Sequence, residues 1–303
     1  MKVLWESYVA FLSVVYSINI FLVNRLPERW VLIPDTIYIR YVVGIIFGHF
    51  RVRRLKDIYK KKNAREIAGL AEANIQYRIG FNAHISRMLT TPLDTYKAQN
   101  SLHGEEHLQA ALKEGRGVML LQAHYGNFYA PTCLLGQREY DVTVLGIAAI
   151  PAAVETLTRN VLTRFGAKRA ISGQGGGKTA IRVIRRKAIL CAYFDVLPPG
   201  KGNEIVKCPL GDSTIAIYDG PARLAIHSNV VVVPVISYFT KPFHSETHIE
   251  PAFPTVRGAT DEETIQLTIK QWMDWFEPKL MAKPEQWWSW PFITLPDAQK
   301  PGS

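Results

Sequence analysis

The chain has 303 residues, 48% hydrophobic and 20% charged, a balance that excludes wholesale disorder and leaves room for one sizeable core with an appendage. Its 36 Lys and Arg against 26 Asp and Glu give a formal charge of +10, which points to an anionic partner: nucleic acid, an anionic membrane surface or an acidic carrier protein. The three cysteines, Cys133, Cys191 and Cys208, are scattered without a Cys-x-x-Cys pair, which argues against a zinc knuckle or a disulfide framework and fits a reducing compartment.

Residues 7–24 are apolar and uncharged, at the lower edge of the roughly 20 residues that cross a bilayer. Glu6, Asn19 and the repeated tyrosines and serines suit an interfacial helix equally, and no small-residue cleavage site follows, so no secretory signal is read. A second apolar stretch, residues 41–50, is too short to span. It leads into the densest basic block, residues 51–65, and a polybasic stretch beside a membrane anchor gains about 1 kcal/mol per cation on anionic lipid. We read residues 1–65 as a membrane-anchoring or interfacial helical region with the basic block facing the cytoplasm, and residues 66–303 as an α/β domain. An ordinary solvated helix face is the alternative for the block.

Residues 101–117 read as a helix with apolar Leu102, Leu108 and Leu112, closed by Gly115 and Gly117. An apolar run, 118–121, then stops at His124 and a small-residue turn. A buried strand ending in a histidine sets the imidazole at the carboxyl edge of a sheet, where open α/β folds bind ligands. Cys133, on the following helix, reads as buried packing rather than a nucleophile. The alternation continues with a strand at 142–146, a helix at 152–165, a cationic helix at 179–187 and a buried strand at 188–194 ending in Asp195. After it come a strand at 205–210, a helix opening at 219–225 and a β-branched strand at 230–238. This order predicts a mainly parallel central sheet flanked by helices.

Two further patterns compete for chemistry. Ser172 to Thr179 ends like a phosphate-binding loop, but Ser172 stands where the first glycine is required, and residues 168–171 make a poor buried strand. A glycine loop lining a substrate pocket, with Gly175 and Lys178, is preferred to nucleotide binding. His244, Glu246 and His248 share one face of a strand, yet three ligands so closely spaced give poor tetrahedral geometry, so they are read as an exposed edge strand with no metal. Trp287, Trp288 and Trp290 suit a membrane interface or a core equally.

The glycine turn, apolar strand and His124-Tyr125-Gly126-Asn127-Phe128-Tyr129 together resemble the lysophospholipid acyltransferase superfamily, and within it the branch of bacterial lipid A late acyltransferases and related glycolipid acyltransferases. Further motifs follow in family order: Asp195 after its strand, Val206-Lys207-Cys208-Pro209-Leu210-Gly211, Gly220-Pro221-Ala222-Arg223-Leu224-Ala225, Val232-Val233-Pro234-Val235, and Pro284-Glu285-Gln286-Trp287. The acid that the family carries five positions after the histidine is here Tyr129.

The resemblance implies a glycerolipid acyltransferase-like fold and a membrane-associated acyltransferase at the cytoplasmic face of the inner membrane. Its donor would be an acyl-carrier-protein or coenzyme A thioester, acting beside anionic membrane lipid, with no cofactor and no nucleic acid. Acyl transfer needs a base for the acceptor's proton and donors for a tetrahedral oxyanion. His124 is the candidate base and Asp195 its carboxylate, since neighbouring parallel strands bring their carboxyl ends together. Asn127 and the N–H groups of the turn are candidate orienting or oxyanion donors. Candidate substrate contacts are Gly126 and Tyr129, Gly175 and Lys178 of the glycine loop, and Arg223 of the helix start. The missing acid leaves open a non-catalytic acyl-donor or lipid-binding protein on the same fold.

Overall fold

The computed structural model describes residues 2–148, 151–172, 174–196 and 205–295. Its elements in chain order are α1 (Lys2–Val23), α2 (Leu32–Ile37), α3 (Gly44–Ile58), α4 (Ala64–Arg87), α5 (Leu93–Gln99), β1 (Asn100–His103), α6 (Glu105–Lys113), β2 (Val118–Gln122) and α7 (Ala130–Gly136). Then follow β3 (Val142–Gly146), α8 (Ala152–Arg164), β4 (Lys168–Ile171), α9 (Gly176–Arg185), β5 (Ile189–Tyr193), β6 (Ile205–Leu210), β7 (Ser213–Tyr218), α10 (Gly220–Ser228), β8 (Val231–Lys241), β9 (His244–Ile249) and α11 (Asp261–Ala282).

Among the described residues, seven strands form one sheet in the order β1-β9-β8-β2-β5-β3-β4, while β6 and β7 make a separate antiparallel hairpin. Every pairing in the large sheet is parallel except β8 with β9. Alternate residues of the central strands sort to opposite faces: Met119, Leu121, Leu190 and Ala192 join one core cluster, Val118, Leu120, Ile189 and Cys191 the other. That explains why β2 and β5 read as unbroken apolar runs: both faces are covered. β2 pairs with β5 so that Gln122 faces Tyr193, and two residues beyond each lie His124 and Asp195, level with one another at the carboxyl edge.

Two expectations are corrected. The region predicted as a helix over 101–117 begins instead as β1, and α6 starts only at Glu105. The break falls at Gly104, φ +77°, where a Cβ would meet the Ile249 carbonyl oxygen at 1.9 Å. Because β1 pairs with β9, the strand carrying His244, Glu246 and His248 is interior rather than an edge. His248 stacks on His103 with ring centroids 4.9 Å apart and bonds the Tyr238 hydroxyl at 2.9 Å. Residues 168–171 do form a strand, β4, at the sheet's edge, where only Ala170 is buried.

The N-terminal helices pack onto this body. α1 buries Leu12, Tyr16, Asn19 and Val23 along one stripe and leaves Phe11, Val14, Ile18 and Phe21 exposed on another. Its stretch Glu6–Val23 is long and apolar enough to cross a membrane. The basic block divides: Arg53, Lys56, Lys60, Lys61, Lys62 and Arg65 point outward, whereas Arg51 is buried, and Leu55 and Ile58 of the same helix join the main core. Asn63 caps α4, accepting from the Glu66 N–H while the Glu66 carboxylate accepts from the Asn63 N–H.

Candidate active site

β2 and β5 deliver the central pair. His124 Nδ1 lies 2.8 Å from Asp195 Oδ1, and the His124 backbone N–H donates to Asp195 Oδ2 at 3.0 Å. Oδ2 also accepts from Trp287 Nε1 and from Ser289 Oγ, each at 2.8 Å. The carboxylate is thus saturated with donors, and its side chain is 1% exposed while that of His124 is 21% exposed. Burial alone would raise the Asp195 carboxyl; the His124 charge and the bonds from His124 and Trp287 outweigh it and hold the group below the ordinary carboxylate range. With Nδ1 on Asp195, Nε2 is the ring nitrogen not engaged by the carboxylate.

Aromatic rings set the imidazole's plane. Tyr193 stacks on it with centroids 4.1 Å apart and 19° between planes, Phe128 meets it edge-on at 5.0 Å, and Trp288 lies at 6.1 Å. The backbone of the turn is fixed as firmly. Gly126 has φ +56°, a Cβ there would fall 2.0 Å from the Ser237 carbonyl oxygen, and its own carbonyl accepts from the Tyr77 hydroxyl at 2.8 Å. Gly126 is therefore a close-approach position beside the histidine.

The other sequence candidates divide. Asn127 is fully buried but turned away: its Nδ2 bonds His84 Nε2 and Ser245 Oγ at 3.0 Å and Asn100 Oδ1 at 3.3 Å, and it makes no bond to His124. The expected side-chain donor is therefore a strut tying the turn to α4, β1 and β9. Tyr129, in the position of the family's acid, packs against Phe81 and Phe128 and shares a hydrogen bond with Thr158 Oγ1 at 2.7 Å. Burial raises its phenol.

Gly175, φ +79°, opens α9 with Lys178 exposed on it; Gly173 of the same loop lies outside the described residues. That loop follows β4, three strands from β2, so about 14 Å separates it from the histidine strand. Arg223 is held by Asp219 Oδ2 at 2.6 Å and Glu262 Oε1 at 2.7 Å, between α10 and α11. Neither segment is brought to the imidazole by a direct bond. Cys133 is fully buried, and burial pushes its thiol up, away from nucleophilic use.

Sequence reasoning missed the clamp on the other side. Trp287 and Trp290 are core residues, and the segment carrying them is locked by α4: Asn74 Nδ2 donates to the Glu285 and Trp287 carbonyls at 2.7 and 2.9 Å, and Arg78 Nη1 to the Trp288 carbonyl at 2.7 Å. The Trp288 N–H in turn donates to the His124 carbonyl at 2.9 Å. Asn74, Tyr77 and Arg78 share one helix face, and polar residues at that spacing read as a solvated face.

The model of the family described as bacterial lipid A biosynthesis acyltransferase matches residues 9–290. Among solved structures, the 1-acyl-sn-glycerophosphate acyltransferase PlsC of Thermotoga maritima is similar at 12% identity and a TM-score of 0.37, over 83% of this chain and 97% of that one. No curated protein matches.

Proposed function

The chain belongs to the bacterial lipid A biosynthesis acyltransferase family and is an acyltransferase acting on lipids; from that premise we propose that His124 is the general base that moves a fatty acyl group from a thioester to a lipid hydroxyl or amine. The observation that carries this reading is the 2.8 Å contact of His124 Nδ1 with a buried, donor-saturated Asp195.

The donor is an acyl-carrier-protein or coenzyme A thioester. His124 Nε2 takes the acceptor's proton as its oxygen or nitrogen bonds to the thioester carbonyl carbon. Asp195 fixes the tautomer and stabilises the imidazolium. Among the described residues the backbone N–H groups of Asn127 and Phe128 have no protein acceptor, so we assign them to the tetrahedral oxyanion. Collapse breaks the carbon–sulfur bond, and the imidazolium returns its proton to the leaving thiolate. No acyl-enzyme is needed.

The exposed stripe Phe11, Val14, Ile18 and Phe21 of α1 supports seating of residues 1–65 on the cytoplasmic face of the inner membrane, with the outward cations near anionic headgroups. Residues 66–303 then form the transferase part.

The test is thioester cleavage with a panel of acyl donors and total membrane lipid, comparing wild type with His124→Ala. We expect the variant's turnover to fall by roughly 1,000-fold or more with its fold intact. Wild-type inactivity across the panel, with lipid or donor binding equal in both proteins, would replace this reading with a binding protein on the same fold.

A further inference from the structure

Two arginines outside the histidine site are buried without a counter-ion. Arg51, on α3, is 1% exposed, and its Nε and Nη2 have no hydrogen-bond partner. Arg78, on α4, is 4% exposed; Nη1 serves the Trp288 carbonyl, and its Nε has no partner. Glu72 is the acid whose field reaches Arg51, yet it is already engaged by both terminal nitrogens of Arg40 at the surface. Among the described residues neither buried guanidinium forms an ion pair. Burial lowers both, Arg51 to about 10 and Arg78 to about 9, and Arg51 repels Arg78. Buried cations left in this state are costly unless an anion joins them.

α3 packs against α4, and Arg78 of α4 reaches an aromatic neighbour of His124. The Arg78 guanidinium lies 4.5 Å from the Trp288 ring centroid and 5.9 Å from that of Phe292, and these two half-buried rings stack on one another at 4.9 Å. Trp288 also faces His124, so one indole has the imidazole on one side and a guanidinium on another.

We propose that Arg51 and Arg78 form an anion site that takes a phosphate group of a substrate whose reacting end lies at His124. Guanidinium forks match phosphate oxygens, and a phosphate, monoester or diester, presents several acceptor oxygens for two forks to share. Two sources share this chemistry: the phosphopantetheine arm of the thioester donor and a phosphorylated lipid headgroup on the acceptor. The substrate assignment rests on His124 being the transferase site; the anion site itself does not.

The first arm uses the full chain in detergent, titrated with inorganic phosphate against chloride at equal ionic strength, with Tm as the readout. Wild type should show a saturable rise. Arg51→Met should start at an equal or higher Tm, because an uncompensated buried charge is gone, and show no saturable rise. Equal responses in both, or none in wild type, overturn the site. If Arg51→Met does not fold, Arg51→Lys, which loses the fork but keeps the charge, should bind phosphate more weakly; an unchanged titration counts against the proposal.

The second arm compares acyl-phosphopantetheine with acyl-pantetheine, and phosphorylated with dephosphorylated lipid. The KM preference for the phosphorylated member, expected at about 10-fold to 100-fold in wild type, should collapse in Arg51→Met. Collapse on the donor pair assigns the site to the donor, and collapse on the lipid pair to the acceptor. Preserved preference on both overturns the substrate assignment. Saturable phosphate binding in a protein that transfers no acyl group would sink the transferase reading and leave the anion site standing.

Discussion

Asp195 and Asp35 are both buried carboxylates, and they are treated in opposite ways. Asp195, at the sheet's carboxyl edge, receives four donors and faces an imidazole. Asp35, on α2 among the N-terminal helices, receives amide donors from Asn19 and Asn82 on Oδ1, and its Oδ2 has no partner. Asp195 is held below the ordinary carboxylate range, while burial raises Asp35 to about 7, the two amide bonds only partly opposing it. Burial is shared, so the surroundings decide: one environment is built to keep a charge and the other to tolerate a proton.

The comparison breaks most sharply at Asp195→Asn, which keeps the shape and removes the charge. Turnover should fall by roughly 100-fold to 10,000-fold, because an amide no longer stabilises the imidazolium or fixes its tautomer. A loss below tenfold in steady-state kinetics would demote Asp195 to a structural role.

The mirror experiment is Asp35→Asn. A raised folded pKa gives stability that is fully present below the unfolded value of ~3.9 and lost as pH rises towards about 7. The variant should therefore be more stable than wild type at pH 8, by up to roughly 4 kcal/mol, and nearly equal at pH 4. Denaturation at both pH values checks this. Asp195 carries the opposite sign: its contribution is present above ~3.9 and fades as pH falls through its lower folded value.

Ser289→Ala sharpens the contrast by removing one donor from Asp195 with little change in volume. kcat/KM should drop about tenfold, with the acid limb of its pH profile moving upward. The smallest effect belongs to Tyr129→Phe. Losing the Thr158 bond should cost about 1 kcal/mol in stability and leave kcat within roughly twofold. A larger fall in kcat would place the phenol in the chemistry.

Much of the frame was legible because parallel strands buried on both faces leave long apolar runs, and residues 118–121 and 188–194 each end near a titratable side chain. Their adjacency follows from the β2–β5 register alone. β1 was illegible: four residues with one leucine carry no period-2 signal, and its existence depends on β9, far along the chain. The missing strand also made an interior strand look like an edge. Asn127 stayed ambiguous in sequence because its amide suits an oxyanion as well as it suits a buried cluster, and only the turn's geometry shows where its side chain bonds. The motif ending at Trp287 marks a segment but not its task, and Ser289 leaves no local trace, since an indole or hydroxyl aimed at a carboxylate looks in sequence like any packed residue.

Those donors come 92 and 94 residues after the aspartate they serve. During synthesis the ribosome therefore releases histidine and aspartate well before the groups that arm them. A nascent or prematurely ended chain carries the histidine beside a carboxylate that lacks two of its four donors until the Trp287–Ser289 segment is in place. If His124 is the base proposed above, a chain cut before Trp287 should hold a less well-ordered charge at Asp195 and turn over more slowly than the full chain, a difference that steady-state kinetics on the two lengths would read.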